Sequence, residues 1–384
     1  MFVKNNLLLK ILGCILLLTS CAQPIEKKDP LLEALQDSDP NIKKVTDRIA
    51  QYNVQILFTR INRDKSNSPF FTDFKFQVND SSYFYPASTV KFPVAILALE
   101  KLNKEDTYHG NTHFYVEGDS IETSFFKEVS KIFAVSDNDA YNRLFEFLGP
   151  DYINEQLQSK GLFPARLSHR LSTDDAGNIT TKPLVVFLND STMKQTEATV
   201  NKNPERLQMK GIMKGKGFYE DDSLIPQPFD FSEKNYLPIT TLHSLMKRVI
   251  FPEKYSPDET FKLGKENENF LLKAMHTLPK EAGYNPAIYY DSYGKFFMYG
   301  DRKEAIPSYI KIYNKVGYAY GTLTDCAYIE DTKNNIEFLL TATILVNKNE
   351  IFNDDVYEYD TVGIPFLATL GRKLYQIELE RKQK

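Results

Sequence analysis

The chain has 384 residues, a formal net charge of −4, 42% apolar residues and 26% charged residues. This length and composition allow one large domain or two ordinary ones with a sizeable core. Nucleic-acid binding would need a concentrated basic face, and the one basic stretch, residues 202–216, is interpreted as a solvated surface. The composition therefore argues against a nucleic-acid partner.

The N-terminal residues form a targeting signal. Two lysines precede the apolar run 11–18, which ends in Leu-Thr-Ser before Cys21. This arrangement resembles a bacterial lipoprotein signal, in which the cysteine is lipidated and becomes the new N-terminus. The alternatives are an ordinary cleaved signal and a transmembrane anchor, although the run is short for a membrane span. We expect a signal peptide at 1–20, a lipid on Cys21, and a cell-envelope location on the periplasmic or extracellular face of a bacterial membrane.

Cysteines and histidines indicate no disulfide and no metal. Cys14 leaves with the signal and Cys21 carries the lipid, so Cys326 has no partner within the chain. Its apolar neighbours predict a buried structural thiol. The five histidines show no HExxH pattern and no cysteine partners. We therefore expect no metal and no other cofactor.

Strands are predicted near both ends of the chain, with helices between them. Residues 21–45 are polar and contain prolines, which predicts a tether; the domain then spans 46–384. Apolar periodicity predicts strands at 54–58, 74–78, 308–315, 325–330 and 336–346, and helices at 88–102, 125–133, 140–148, 152–158, 238–249, 269–278 and 361–380. This order is not a βαβ alternation. It predicts one α+β domain, with a five-stranded antiparallel sheet built from both ends and helices on its faces.

The first chemical motif is Ser88-Thr89-Val90-Lys91, an SxxK pattern at the start of an apolar helix. Residues three apart share a helix face, so the lysine amine can lie beside the serine hydroxyl. A hydroxyl needs a base to become a nucleophile, and a lysine with a lowered pKa can serve. Five other serines start the same pattern. Only Ser88 follows Pro86-Ala87 and opens a strongly apolar helix.

Two further motifs follow. Ser136-Asp137-Asn138 occurs once, in a loop between two helices, and its simpler interpretation is a helix N-cap. Lys315-Val316-Gly317 lies on a predicted strand, with Gly321 and Asp325 after it. A bare KxG pattern is weak, because residues 262–264 also match it.

In this order, SxxK, SDN and KxG resemble the signature of class A β-lactamases and penicillin-binding proteins. The resemblance implies a β-lactamase/transpeptidase-like α/β sandwich with an all-helical subdomain. Ser88 would be the acylated nucleophile and Lys91 its activating amine. Ser136 would pass a proton to the leaving nitrogen, and Asn138 would bind the substrate amide.

The same resemblance assigns the third motif. Lys315 and Gly317 would belong to the substrate-binding strand, with Lys315 supplying positive charge for a substrate carboxylate. The backbone N–H groups of Ser88 and Tyr318 would form the oxyanion hole. Asp137 would be a structural anchor. The expected partners are a small β-lactam or peptidoglycan-like amide and, through the lipid, a membrane; the protein is expected to be a monomer.

Three departures from the family pattern affect the expected activity. The loop at 166–175 lacks the glutamate that activates the deacylating water in class A enzymes, leaving Asp174, Asp175 or His169 as substitutes. Val316 has no hydroxyl for a carboxylate. The long interval after Asn138 predicts an insertion somewhere in 179–305.

The open alternatives follow from these departures. We expect a serine hydrolase that forms an acyl-enzyme at Ser88 and hydrolyses β-lactams slowly. A penicillin-binding, peptidase-like or esterase-like acyl-enzyme former is one alternative. A catalytically silent binding lipoprotein is the other.

Overall fold

The fold is seen in a computed structural model that describes residues 29–105 and 107–383. The α-helices are α1 (Pro30–Leu35), α2 (Pro40–Thr46), α3 (Lys91–Leu102), α4 (Phe125–Val135), α5 (Asn138–Leu148), α6 (Pro150–Ser159), α7 (Ile239–Ile250), α8 (Gly264–His276) and α9 (Ile364–Gln383). None of these described helices is both long enough and apolar enough to cross a membrane. The signal segment 1–20 and Cys21 lie outside the described residues.

The strands form one large sheet and several small ones. They are β1 (Gln55–Arg63), β2 (Pro69–Phe76), β3 (His113–Val116), β4 (Thr123–Ser124), β5 (Leu184–Asn189), β6 (Thr192–Gln195), β7 (Met213–Lys214), β8 (Gly217–Glu220), β9 (Ser223–Ile225), β10 (Phe229–Asp230), β11 (Ile310–Ala319), β12 (Thr322–Asp331), β13 (Ile336–Leu345) and β14 (Ile351–Phe352). The large sheet has the order β11-β12-β13-β1-β2 and is antiparallel throughout.

This sheet confirms the predicted α+β fold built from both ends of the chain. β1 pairs with β13, the last long strand, and β11 is left at the edge of the sheet. On one face, α1, α2 and α9 share a buried apolar cluster with the sheet. On the other face, α7 lies against the central strands, and the helices from α3 to α6 pack with α8 into a second core. The edge strand β11 therefore borders the helical half of the molecule.

The structure corrects the predicted position of one strand. The sequence predicted the second strand at 74–78, whereas β2 begins at Pro69 and ends at Phe76. Its partner β1 is nine residues long, and the register runs from Arg63 opposite Pro69 to Ile56 opposite Phe76. Gln77 has a left-handed φ of 50°, which ends the strand.

The structure also corrects the predicted tether at 21–45. Within it, α1 and α2 are ordered helices, each with a proline in its first turn and an aspartate N-cap. Their residues Leu31, Ile42 and Val45 are fully buried in the core shared with α9. Proline is favoured in the first turn of a helix, where its missing N–H is not needed. The folded body therefore begins by Pro30.

Helix α3 positions the candidate site. Lys101 is its one residue that is not buried, as expected for a helix that is apolar all round and lies inside a core. It packs against α4, α5, α6 and α8, which fixes its N-terminal end beside β11 and the loop between α4 and α5.

Candidate active site

Ser88 lies on a strained turn that opens α3. The preceding Ala87 has a φ of 46°, and residues 87–90 form a single 3₁₀ turn before the α-helix begins. A left-handed alanine costs about 1 kcal/mol, so surrounding contacts must hold the turn. One is the Thr89 hydroxyl, which donates to the Pro86 carbonyl oxygen at 2.7 Å. The turn leaves Ser88 partly exposed while its neighbours Ala87 and Thr89 are buried.

Gly317 lets the edge strand β11 lie directly against this turn. A Cβ atom at this position would be 2.6 Å from the Pro86 oxygen and 2.8 Å from the backbone nitrogens of Ser88 and Thr89. All three are backbone atoms, which cannot swing away as a side chain would. The glycine of the KxG motif is therefore needed for β11 to lie this close to the turn at residues 86–90, which is called the nucleophile turn below.

The Ser-Asp-Asn triplet is both a helix boundary and part of the site. Ser136 ends α4 in the left-handed conformation, with φ 58° and ψ 38°. Asp137 caps α5, because its side chain accepts a hydrogen bond of 2.7 Å from the Ala140 N–H. Asn138 is the first residue of α5. The helix-cap interpretation thus applies to Asp137, and the catalytic interpretation, still a prediction, concerns Ser136 and Asn138 on either side of it.

Lys91 joins the SxxK and SDN motifs. Its Nζ donates to the Ser136 carbonyl oxygen, to Asn138 Oδ1 at 2.6 Å and, more weakly, to Ser136 Oγ at 3.4 Å. The side chain is fully buried, and burial lowers the pKa of Lys91 to about 7, although Asp137 and Asp139 act to raise it. A large fraction of the amine is therefore neutral at neutral pH and available as a base.

A second lysine, Lys315, also contacts Ser136. Its Nζ donates to Ser136 Oγ at 2.7 Å and to the Val316 carbonyl oxygen at 2.8 Å. Burial and the nearby Lys91 hold the pKa of Lys315 well below its ordinary value. A buried amine beside another amine favours the neutral form, and the positive charge expected of Lys315 toward a substrate carboxylate stays a prediction.

A buried polar network fixes the strand behind Lys315. Lys295 Nζ donates to Asn314 Oδ1 at 2.7 Å, and the Asn314 amide donates to Asp325 Oδ1 at 2.9 Å. Asp325 Oδ2 also accepts from the Phe296 N–H at 3.1 Å. Burial raises the pKa of Asp325 to about 6 and lowers that of Lys295 to about 8. This network connects β11, β12 and the 292–297 segment.

Ser88 opens into a cleft of about 420 Å³, the Ser88 cleft. Its walls come from the nucleophile turn, Asn138, the loop at 171–172, the end of β11 and the 353–359 segment. The lining residues are Tyr85, Ala87, Ser88, Asn138, Leu171, Ser172, Tyr318, Ala319, Tyr320, Asn353, Asp355, Tyr357 and Tyr359. The structure thus brings together residues of all three motifs. Ser88, Asn138 and Tyr318 line the cleft. Lys91, Ser136 and Lys315 lie outside this lining and are joined to one another by hydrogen bonds.

A model of the β-lactamase enzyme family matches residues 41–220, which contain the SxxK and SDN motifs. Over these residues the chain is similar to the β-lactamase enzyme family.

Solved structures show the same fold at low sequence identity. A β-lactamase from Sphaerobacter thermophilus has a TM-score of 0.50 and 14% identity, covering 91% of this chain and 96% of its own. L2 complexed with relebactam has a TM-score of 0.50 and 13% identity, covering 91% and 98%. A β-lactamase from Desulfarculus baarsii has a TM-score of 0.50 and 12% identity, covering 90% and 98%. No curated protein sequence matches the chain.

The loop at 166–175 departs from the β-lactamase-like pattern in chemistry but is firmly held. Arg170 makes a bidentate pair with Glu146 of α5, at 2.6 and 2.8 Å, and both side chains are buried. Asn142 of α5 bonds both the N–H and the carbonyl of Leu171 at 2.9 Å. Ser172, with a φ of 53°, accepts a hydrogen bond of 2.9 Å from the Asn138 amide. A serine thus stands at the cleft wall.

The three expected substitutes for the glutamate lie elsewhere. Asp175 pairs with Lys182 at 3.1 Å and accepts from the Thr173 hydroxyl, and neither it nor the exposed Asp174 lines the Ser88 cleft. His169 is buried; its Nδ1 bonds the Arg170 carbonyl and its Nε2 accepts from the Asn235 N–H. Burial lowers the pKa of His169 to about 4, so it is a neutral structural residue.

Sequence reasoning missed the contribution of the C-terminal segment to the site. Asp355, Tyr357 and Tyr359 line the Ser88 cleft from the segment between β14 and α9. The Tyr359 hydroxyl accepts a hydrogen bond of 2.8 Å from the Gly321 N–H, which fixes the segment to the β11–β12 turn. The run of tyrosines after residue 356 was the available signal. Cys326, by contrast, is a buried free thiol as predicted.

Proposed function

We propose that this protein is a serine hydrolase that forms an acyl-enzyme at Ser88 with amide or ester substrates, β-lactams among them, and deacylates slowly. The observation that carries the proposal is the position of Lys91, three residues after Ser88. Its Nζ donates to Ser136 and Asn138, and burial lowers its pKa to about 7. A buried amine with a lowered pKa can take the proton of a serine hydroxyl.

The proposed acylation conserves atoms and protons. Ser88 Oγ bonds to the substrate carbonyl carbon, and its proton passes to the neutral Lys91 amine. The backbone N–H groups of Ser88 and Tyr318 stabilise the oxyanion. The bond to the leaving group then breaks, and the leaving atom takes a proton from Ser136 Oγ, which recovers one from Lys91 at 3.4 Å. Asn138 holds Lys91 through one end of its amide. The result is an acyl-Ser88 ester and a neutral leaving group.

Deacylation lacks its usual base. Hydrolysis of the ester needs a group that takes a proton from the attacking water, and such assistance contributes roughly 10²- to 10⁴-fold. From the 166–175 loop, the cleft receives only Leu171 and Ser172. Asp355 is the carboxylate that lines the cleft, and it comes from the C-terminal segment. We therefore propose a slow second step.

Incubation with a fluorophosphonate or a penicillin should give a covalent adduct on Ser88. The penicillin adduct should be long-lived, and hydrolysis of nitrocefin weak, because deacylation limits turnover. Intact-mass spectrometry over time reports both the adduct and its lifetime. Ser88→Ala should show no adduct.

Ser124→Ala and Ser308→Ala are matched controls, since both serines start an SxxK pattern elsewhere in the chain. Both should label like the unchanged protein, and an adduct lost in either would mean that the nucleophile was wrongly chosen. No adduct with any reagent would favour a binding protein. Fast turnover would point to Asp355 as the base, to be checked with Asp355→Asn.

The proposal includes attachment to a membrane through a lipid on Cys21. The change Cys21→Ser should move the protein from the membrane fraction to the soluble fraction of cells, since this position carries the cysteine of the lipoprotein signal. Cys14→Ser is the matched control, because this cysteine lies inside the signal and should leave the distribution unchanged. A Cys21→Ser protein that stays in the membrane would contradict the proposal.

A further inference from the structure

A second cavity is lined by Ser136 but not by Lys91. This tyrosine chamber has a volume of about 240 Å³, and its aromatic lining residues are Phe133, Tyr290, Tyr293, Phe296, Tyr318 and Tyr359. Tyr318 and Tyr359 also line the Ser88 cleft, so the two cavities share a wall. Ser136 and Lys315 line the chamber too. The proton donor of the proposed function thus faces it.

This position assigns the chamber to the leaving group. In the proposed acylation, the leaving atom receives its proton from Ser136 Oγ and must lie against that hydroxyl. The group attached to that atom then extends into the chamber. A cavity of roughly 150 Å³ admits benzene, so the chamber has room for one ring with a small substituent. Its rings already pack edge to face, with Tyr318 and Tyr359 at 5.4 Å between centroids, a geometry that a further aromatic ring can join.

The charges of the chamber are unfavourable for a carboxylate. Its lining contains one lysine, Lys315, and one aspartate, Asp360, and no arginine or histidine. The Lys315 amine already donates to Ser136 Oγ and the Val316 carbonyl. Val316 offers no hydroxyl, and Asp360 would repel an anion. Lys303, the cation near Tyr290 at 5.3 Å from its ring, lies outside the lining.

An anion in this chamber would be poorly compensated. Burying a carboxylate without partners costs more than burying an amide that can use the available hydroxyls. Resting on the proposed acyl-enzyme at Ser88, we propose that the tyrosine chamber is a leaving-group subsite that prefers uncharged, single-ring aromatic leaving groups over those that carry a carboxylate.

The test compares two esters with the same acyl group and the same ring. Acetylation of Ser88 is measured with 4-carbamoylphenyl acetate and 4-carboxyphenyl acetate, by intact mass and by release of the phenol. Each rate is divided by the rate of the same ester with hydroxide, which removes the difference in chemical reactivity. We expect the uncharged ester to react about tenfold faster or more, as for a charged group left without its hydrogen bonds.

Two variants test the cause of this preference. The ratio in question is the normalised rate with the uncharged ester divided by that with the charged ester. Asp360→Asn removes the repelling charge and should narrow this ratio by roughly two- to fivefold, the range of an exposed charge pair. Val316→Thr restores a hydroxyl and should narrow it as well. Glu304→Gln is the matched control: this exposed carboxylate lines neither the chamber nor the Ser88 cleft, so the ratio should stay as it is.

The outcomes separate this inference from the proposed function. If Ser88 is acetylated and labelled by a fluorophosphonate, but the normalised ratio is equal or reversed, the chamber does not select as proposed. The same conclusion follows if Glu304→Gln narrows the ratio and Asp360→Asn does not. If Ser88 reacts with neither reagent, the proposed function is wrong and the leaving-group assignment is overturned with it.

Discussion

Replacing Lys91 by methionine should slow the acylation of Ser88 by roughly 10²- to 10⁴-fold, the usual contribution of a general base. In the unchanged protein, the acylation rate should rise with pH through about 7, because the Lys91 amine becomes neutral above that pKa and only the neutral form accepts a proton. Lys91→Met should lose this rise. The measurement is the rate of Ser88 labelling between pH 5 and 9.

Lys101→Met is the matched control on the same helix. Lys101 Nζ donates to the Phe147 carbonyl at 2.7 Å, away from Ser88, so its loss should leave the labelling rate and its pH profile unchanged. A Lys91→Met protein that labels at full rate would show that another group takes the serine proton. Lys315 would then be the first to examine.

The same substitution makes a second prediction, on stability. Unfolded lysine keeps its proton up to about 10.5, whereas folded Lys91 loses it near 7. The unfolded state therefore binds more protons between these values, and the contribution of Lys91 to stability should rise with pH across that window. Relative to Lys91→Met, the unchanged protein should gain stability from pH 7 to 10 in thermal unfolding. A constant difference would contradict the lowered pKa.

Gly317→Ala should cost both activity and stability. The new Cβ would lie within 2.8 Å of three backbone atoms of the nucleophile turn, so β11 and the turn must separate. Overpacking of this kind typically costs 1–3 kcal/mol, and a displacement of about 1 Å at a reacting group can cost roughly 10²-fold in rate. Chemical denaturation and Ser88 labelling measure the two effects.

Gly177→Ala is the control for this change. A Cβ at Gly177 meets nothing within 4 Å, and its φ is not in the left-handed region. Both stability and labelling should stay close to those of the unchanged protein. If Gly317→Ala labels normally, the close approach of the strand to the turn is not required for reactivity.

The chemical motifs were predictable because each depends on local geometry. Ser88 and Lys91 are placed by helix spacing, and Ser136 and Asn138 flank a helix cap that a short polar triplet specifies. Gly317 belongs to a strand whose apolar pattern is clear. Local patterns could not predict that the three motifs lie close together. The sheet order and the packing of α3 bring them together.

Features that the sequence did not predict depend instead on non-local packing. Asp355 and Tyr359 enter the site through the packing of the segment between β14 and α9, where Tyr359 begins a short π-helical turn, and no apolar periodicity marks these residues. The tether was wrong for a different reason. Pro30 and Pro40 were interpreted as part of a polar tether, although each follows an aspartate cap and occupies a first helical turn, where proline is tolerated.

The order of strands in the large sheet also determines when the site can exist during folding. β1 pairs with β13, and the turn that carries Ser88 lies against β11, so both depend on residues from the last fifth of the chain. Pairing between distant segments pays its loop-closure entropy before it gains contacts, which slows folding. A growing polypeptide therefore carries Ser88 and Lys91 long before it carries their partners. We therefore expect the proposed reactivity of Ser88 to appear only as the final strands join the sheet, and an incomplete chain to be inert at this serine.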